Sequence, residues 1–161
     1  GIVVTGADIS TGMLRYGFGK GRDRAARMTF LAGDAERLPF EDATFDGLTI
    51  GFGIRNVADL DVGLREMARV LKPGGRTAIL EFSQPHHFLM RTPYLFYFRN
   101  VLPNIGRLIS KDPSAYRYLY ESVMAFPEGE SFCDCMREAG FGDVIRRPLT
   151  FGIATIYVGH K

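Results

Sequence analysis

Four short apolar, β-branched runs, at residues 2–7, 28–32, 45–52 and 76–82, each end at a carboxylate, a glycine or a polar turn, and most of the intervening segments carry helical signals. Runs this short and this continuously apolar fit strands buried on both faces, as in parallel sheets. Their alternation with helices points to an α/β fold with right-handed crossovers. In such a fold the residues that do chemistry sit at the carboxyl ends of the strands.

The helix boundaries follow from caps and stops. A first helix is expected from about Ser10, with Gly17, Gly19 and Gly21 forming its C-terminal cap and turn. A second is expected after Asn56 or Asp59, because Leu60, Leu64, Met67, Ala68 and Leu71 share one helical face. Lys72-Pro73-Gly74-Gly75 ends it, and a strand over 76–82 follows. Residues 83–112 show no simple period and read as a lid or cap. Helices over 113–126 and 130–139 and a closing strand pair at 143–147 and 151–158 complete the chain.

The chain has 161 residues, 46% of them hydrophobic, which suits one domain over residues 1–161. Gly1 enters an apolar run directly, without a Met or a leader, so the domain is expected to be partial, cut upstream of its first strand and its Gly-rich loop. A formal charge of +2 gives no pull toward nucleic acid. Cys133 and Cys135 are too few for a thiolate zinc site and too close for an ordinary disulfide, so a reducing, cytoplasmic setting and no metal are expected. No uncharged apolar run is long enough for a membrane span. The aromatic stretch 88–108, interrupted by Arg91, Pro93, Arg99 and Pro103, suits cover for an apolar ligand or contact with a membrane surface.

Asp8 ends the first strand, where a carboxylate can accept hydrogen bonds from both ribose hydroxyls of a nucleotide cofactor. Capping the next helix falls more naturally to Ser10. Asp34 ends the second strand beside Ala35, and the pair could read an adenine amino edge or form a plain turn. Gly17-Phe18-Gly19-Lys20-Gly21 looks like a phosphate loop but follows a helix and so is misplaced for that role. Gly51-Phe52-Gly53-Ile54-Arg55-Asn56 ends the third strand, where glycines admit close backbone approach to a ligand and Arg55 could meet an anion. His86 and His87 read as loop residues, and Tyr116, Tyr118, Glu121 and Ser122 as one helical packing face.

Taken together, Gly33-Asp34-Ala35-Glu36-Arg37-Leu38-Pro39-Phe40, Phe45-Asp46, Phe52-Gly53-Ile54-Arg55-Asn56-Val57, Arg69-Val70-Leu71-Lys72-Pro73-Gly74-Gly75 and Leu80-Glu81-Phe82-Ser83 closely resemble the UbiE/MenG family of ubiquinone and menaquinone biosynthesis C-methyltransferases. The L-P-F, F-D and V-L-K-P-G-G pieces are shared by many class I methyltransferases; F-G-I-R-N-V followed by L-E-F-S is far more specific. Ser114-Ala115-Tyr116-Arg117-Tyr118-Leu119, Ala139-Gly140-Phe141 and Leu149-Thr150-Phe151-Gly152 extend the resemblance over essentially the whole chain.

The resemblance implies a Rossmann-like class I methyltransferase sheet with an antiparallel last strand. It implies an S-adenosylmethionine site on Asp8, Asp34 and Ala35, with Gly51 standing where the family usually has Ser. The implied reaction is C-methylation of a prenylated quinol, demethylmenaquinol to menaquinol, with the ubiquinone precursor as another acceptor. A ring carbon is a poor nucleophile, so the adjacent hydroxyl must be deprotonated and its oxyanion held. Arg55 is the candidate for holding it, Asn56 for orienting the hydroxyl, and Tyr116 and Glu121 for the proton path. No metal is implied. A peripheral contact at the inner membrane face and a homo-oligomer both stay open, and the chain by itself is expected to be inactive for want of the Gly-rich loop. The competing readings are a class I methyltransferase for another phenolic or lipid-like molecule, a non-catalytic scaffold in quinone synthesis, and a nicotinamide-dependent dehydrogenase.

Overall fold

The structure is a computed structural model that describes residues 1–20, 28–85, 92–94, 96–97, 100 and 114–161. In chain order the elements are β1 (Val4–Asp8), α1 (Thr11–Lys20), β2 (Met28–Ala32), β3 (Phe45–Gly51), a 3₁₀ turn at Ile54–Asn56, α2 (Leu60–Val70), β4 (Leu71–Phe82), α3 (Ser114–Ala125), α4 (Glu130–Glu138), β5 (Gly142–Leu149) and β6 (Ala154–His160). Most of the lid expected over 83–112 lies outside the described residues, as do His86, His87 and the side chain of Tyr116.

The strands among the described residues form two sheets. β1 and β2 pair in parallel, Asp8 opposite Ala32, and β3, β4, β6 and β5 form a second sheet in that order. β3 and β4 are parallel, whereas β6 runs antiparallel to both β4 and β5. The expected single sheet with an antiparallel last strand is thus present as two parts.

The larger sheet buries one face. Thr77, Ile79 and Glu81 of β4 lie on the same side as Thr155 and Tyr157 of β6, because antiparallel partners such as Ile79 and Tyr157 point the same way. Against this face pack α2, through Leu64, Met67 and Ala68, and α4, through Phe132, Cys133 and Met136. The Phe132 ring meets that of Tyr157 edge to face at a centroid separation of 4.7 Å and that of Phe126 in a tilted pair at 4.9 Å. Burial pushes the thiols of Cys133 and Cys135 up, and neither is in a disulfide.

Three boundaries differ from expectation; one is in the closing pair, where Thr150–Gly152 form a 3₁₀ turn, so that β5 runs to Leu149 and β6 begins at Ala154 and not at residue 151. α1 continues through Gly17 and Gly19 to Lys20, so these glycines are helical and not a cap. Glycine costs a helix interior only about 1 kcal/mol, and α1 packs on both β1 and β2; a Cβ on Gly6 would lie 2.9 Å from the ring of Phe30 and one on Gly17 3.4 Å, so it is Gly6 that lets the strand close on this aromatic. β4 begins at Leu71 and not at Arg76, since Leu71 already pairs with Phe45. The Pro73-Gly74 bend is absorbed within it, with Gly74 left-handed at φ 78° and its N–H donating to the Lys161 carbonyl.

Candidate active site

The cofactor candidates stand at neighbouring strand ends. Asp8 ends β1, and its backbone carbonyl accepts the Gly33 N–H at 3.2 Å, which ties the ends of β1 and β2 together. Each aspartate spends one oxygen on its own turn. Asp8 Oδ1 accepts the Ser10 N–H at 2.7 Å, and Asp34 Oδ1 accepts the Glu36 N–H at 3.0 Å. Ser10, not Asp8, caps α1 by accepting the Met13 N–H at 3.3 Å.

The loop carrying Asp34 and Ala35 is fastened to α2. Glu36 Oε1 accepts the N–H of Asp59, whose own Oδ1 accepts the Val62 N–H and caps the helix. A Cβ on Gly63 would lie 2.9 Å from Val57 and 3.9 Å from the Ala35 carbonyl, so a glycine in α2 lets the loop and the exit of the 3₁₀ turn approach the helix. Arg69 binds the rest of the loop: its guanidinium donates to the carbonyls of Leu38 and Phe40 and to Asp42, and pairs with Glu66 at 2.6 and 2.8 Å. Glu66 also accepts the Leu38 N–H, and its hydrogen bonds from Arg69 hold its carboxyl below the usual range.

The turn after β3 carries Arg55 and Asn56. Gly51 is exposed, and a Cβ there would meet no atom within 4 Å, so a serine hydroxyl would fit. Phe52 holds a left-handed φ of 55°, a costly conformation for a bulky residue. Its ring packs on Phe82 at 4.4 Å. Ile54, fully buried, anchors the turn in the core, and the two residues after it, Arg55 and Asn56, point different ways.

Arg55 turns inward to Glu81 of β4. Its Nη1 donates to Glu81 Oε1 at 2.8 Å and also to the Phe52 carbonyl, while its guanidinium carbon lies 5.4 Å from the centre of the Phe82 ring. The Arg55 side chain is 11% exposed and that of Glu81 is 0% exposed. Glu81 further accepts the N–H of Phe82 at 2.9 Å and that of Arg55 at 3.4 Å. Among the described residues, none offers a hydrogen-bond partner to the buried Arg55 Nε. Removing one member of such a pair strands the other charge and typically costs about 3–5 kcal/mol.

Asn56 turns outward, and its Oδ1 accepts the Tyr118 hydroxyl of α3 at 3.0 Å. Arg55 and residues Ser122, Ala125 and Phe126 share an open recess of about 170 Å³. Glu121 is exposed on α3, beside this face. The structure therefore brings Arg55, Asn56 and α3 together, and Asp8, Asp34 and Ala35 together. It adds Glu81 and Tyr118, which sequence reasoning did not assign. Glu81 was visible only as the acid within L-E-F-S.

Comparison with known proteins defines the class first. A methyltransferase of Thermotoga maritima described as S-adenosylmethionine-dependent superimposes with a TM-score of 0.68 at 23% identity, over 99% of this chain and 73% of that one. The fold is that of class I methyltransferases. The sequence matches the ubiE/COQ5 methyltransferase family over residues 2–161, and the chain belongs to that family. It is 51% identical over 162 residues to the ubiquinone/menaquinone biosynthesis C-methyltransferase UbiE of Geobacter sulfurreducens, covering 99% of this chain and 63% of that protein's length. It is 45% identical over 159 residues to the demethylmenaquinone methyltransferase of Geobacillus kaustophilus, covering 98% of this chain and 68% of that one.

Proposed function

We propose that this chain carries the quinol-facing half of the site, and part of the cofactor site, of an S-adenosylmethionine-dependent C-methyltransferase acting on a prenylated quinol. Demethylmenaquinol is the first candidate, by similarity to the Geobacillus kaustophilus protein. The observation that carries this reading is the F-G-I-R-N turn, held at a strand's carboxyl end by the buried Arg55–Glu81 pair in a chain of this family.

The residues present fit the cofactor. Two carboxylates at adjacent strand ends each have an oxygen beyond the one used in the turn, and Gly51 leaves open space at the next strand end. Asp8 would hold the ribose hydroxyls, and Asp34 with Ala35 the adenine edge. When bound, the cofactor supplies a sulfonium methyl for in-line transfer to the ring carbon. Arg55 holds the ring oxygen as it gains negative charge, and Asn56 orients the hydroxyl. Glu121, exposed beside the recess, and Tyr116 are assigned to the proton path. The aromatic stretch 88–108 would take the prenyl tail, at about 0.8 kcal/mol per methylene removed from water, and would touch the membrane surface. No helix among the described residues is long and apolar enough to cross a membrane.

The test is a chimera in which these 161 residues replace the matching part of the Geobacter sulfurreducens protein, supplied with radiolabelled S-adenosylmethionine and demethylmenaquinol. Label should enter the quinol. In the chimera, Asp8→Ala should weaken cofactor binding by about 1.5–3 kcal/mol, and Arg55→Lys should lower turnover far more than cofactor affinity, because lysine lacks the planar fork. A folded chimera that binds cofactor but labels no quinol would overturn the reading.

A further inference from the structure

Arg55 is not a free cation. Its charge meets a carboxylate that is wholly removed from solvent, and the Nη1 corner of its guanidinium is divided between that carboxylate and the Phe52 carbonyl. Glu81 is in turn fixed from two other directions, by the backbone N–H groups of Phe82 and of Arg55 itself. Nothing about strand pairing requires an acid here. Glu81 lies on the face of β4 that buries Thr77 and Ile79, and it sits opposite Thr155 in the ladder, so an apolar residue would suit the pattern. Keeping a carboxylate in such a place is costly unless it meets a cation in good geometry.

We infer that Glu81 is a positioning residue that sets the charge of the site. It fixes the orientation of Arg55 and cancels its positive charge, so that the ring oxygen of the substrate meets hydrogen-bond donors and not a net cation. The inference rests on the reading that Arg55 meets that oxygen. It has a chemical consequence. A net cation would bind the ionised phenolate more tightly than the neutral quinol and would oppose the loss of negative charge from the oxygen as the methyl is transferred. A neutral pair accepts the quinol in its resting, protonated form and favours the oxyanion only through directed hydrogen bonds.

The experiment uses the purified chain and 4-nitro-1-naphthol, a ring mimic whose ionisation is read from its visible absorbance. Binding is titrated on either side of the free probe's ionisation midpoint. The quantity compared is the ratio of the affinities for the anionic and neutral forms. Glu81→Gln, nearly the same size, leaves Arg55 uncompensated and should raise that ratio about tenfold, moving the midpoint of the bound probe about one pH unit lower. A folded Glu81→Gln variant whose ratio stays within twofold of the parent's overturns the inference.

Because Glu81→Gln strands a buried guanidinium and so costs stability, a second variant guards the test: Arg55→Gln combined with Glu81→Gln removes both charges at nearly constant size. Charge cancellation requires this pair variant to keep the parent's ratio, and a clear loss of preference for the anion would mean that Arg55 acts as an uncancelled cation. Arg55→Met separates the two readings. If it leaves probe affinity unchanged, the placement of the ring at Arg55 fails and takes the inference with it. If it weakens the probe while Glu81→Gln leaves the ratio untouched, only the role of Glu81 fails.

Discussion

The β1–α1–β2 unit and the four-stranded sheet differ in how they hold their functional groups. Among the described residues the buried core, from Ile54 to Tyr157, is built around the four-stranded sheet with α2 and α4. Among the described residues before Ile54, not one is buried, although Asp8, Asp34, Ala35 and Gly51 all lie there. Ile2, Val3, Ile9, Met13, Tyr16 and Phe18 are more than half exposed. The turn proposed to face the ring is thus seated in a packed core through Ile54. The carboxylates proposed to hold the cofactor stand on thin elements, and the Asp34 loop is tied to the core mainly through polar contacts from Glu36, Glu66 and Arg69.

The largest effect expected from this contrast is on truncation of one phenylalanine in each region. Phe132, fully buried between Phe126 and Tyr157, should cost about 3–5 kcal/mol when changed to alanine. Phe30, half-buried against Gly6 and Gly17, should cost less than half as much and leave the larger sheet's amide exchange unchanged. Chemical denaturation with exchange mass spectrometry measures both. Equal costs, or loss of protection in β4 on changing Phe30, would show one cooperative unit.

An acid titration sharpens the comparison at the polar ties. The Glu66 carboxyl is held below its usual range chiefly by hydrogen bonds from Arg69. A depressed folded pKa adds stability that is fully present above the unfolded value of about 4.5 and is lost as pH falls through the folded one. The hold on residues 38–42 should therefore weaken below about pH 4.5. Exchange at the Leu38 amide should rise over that range before the larger sheet opens. Glu66→Gln should remove the dependence, and its persistence in that variant would assign it to another carboxyl.

How much of this was legible in the sequence depended on range. The face of Leu60, Leu64, Met67 and Ala68 places α2 correctly, because helical periodicity is local and the cap at Asp59 lies one residue before it, whereas Leu71, expected on the same face, belongs to β4. The strands and the Ser10 cap are local in the same sense. The end of α1 was not legible because glycine is only a weak helix breaker, and the packing of α1 on β1 and β2 outweighs it. The start of β4 was misplaced because Pro73 and Gly74 look like a break until Leu71 is seen to pair with Phe45. At the site, motif spacing picked out Arg55 and Asn56. It could not show that one faces Glu81 and the other Tyr118, since those partners lie 26 and 62 residues away and only the fold joins them.

The smallest effect concerns that outward contact. Tyr118 is 55% exposed, so its hydrogen bond to Asn56 competes with water and adds little to stability, within about 0.5 kcal/mol for Tyr118→Phe. Its consequence lies in orientation. By donating to Asn56 Oδ1, the Tyr118 hydroxyl occupies the amide's acceptor and leaves its NH₂ to face a ring oxygen. Without that hydroxyl the amide can turn over and present either group. In the chimera, Tyr118→Phe should therefore lower kcat several-fold while leaving the melting temperature and cofactor affinity unchanged, and Asn56→Asp, an acceptor only, should lower it further. The two changes act on one amide, so their effects should combine less than additively in a double-mutant cycle. Full additivity would mean that Tyr118 acts on turnover by some route other than Asn56, and unchanged kcat in Tyr118→Phe would reduce the contact to a surface hydrogen bond between α3 and the turn.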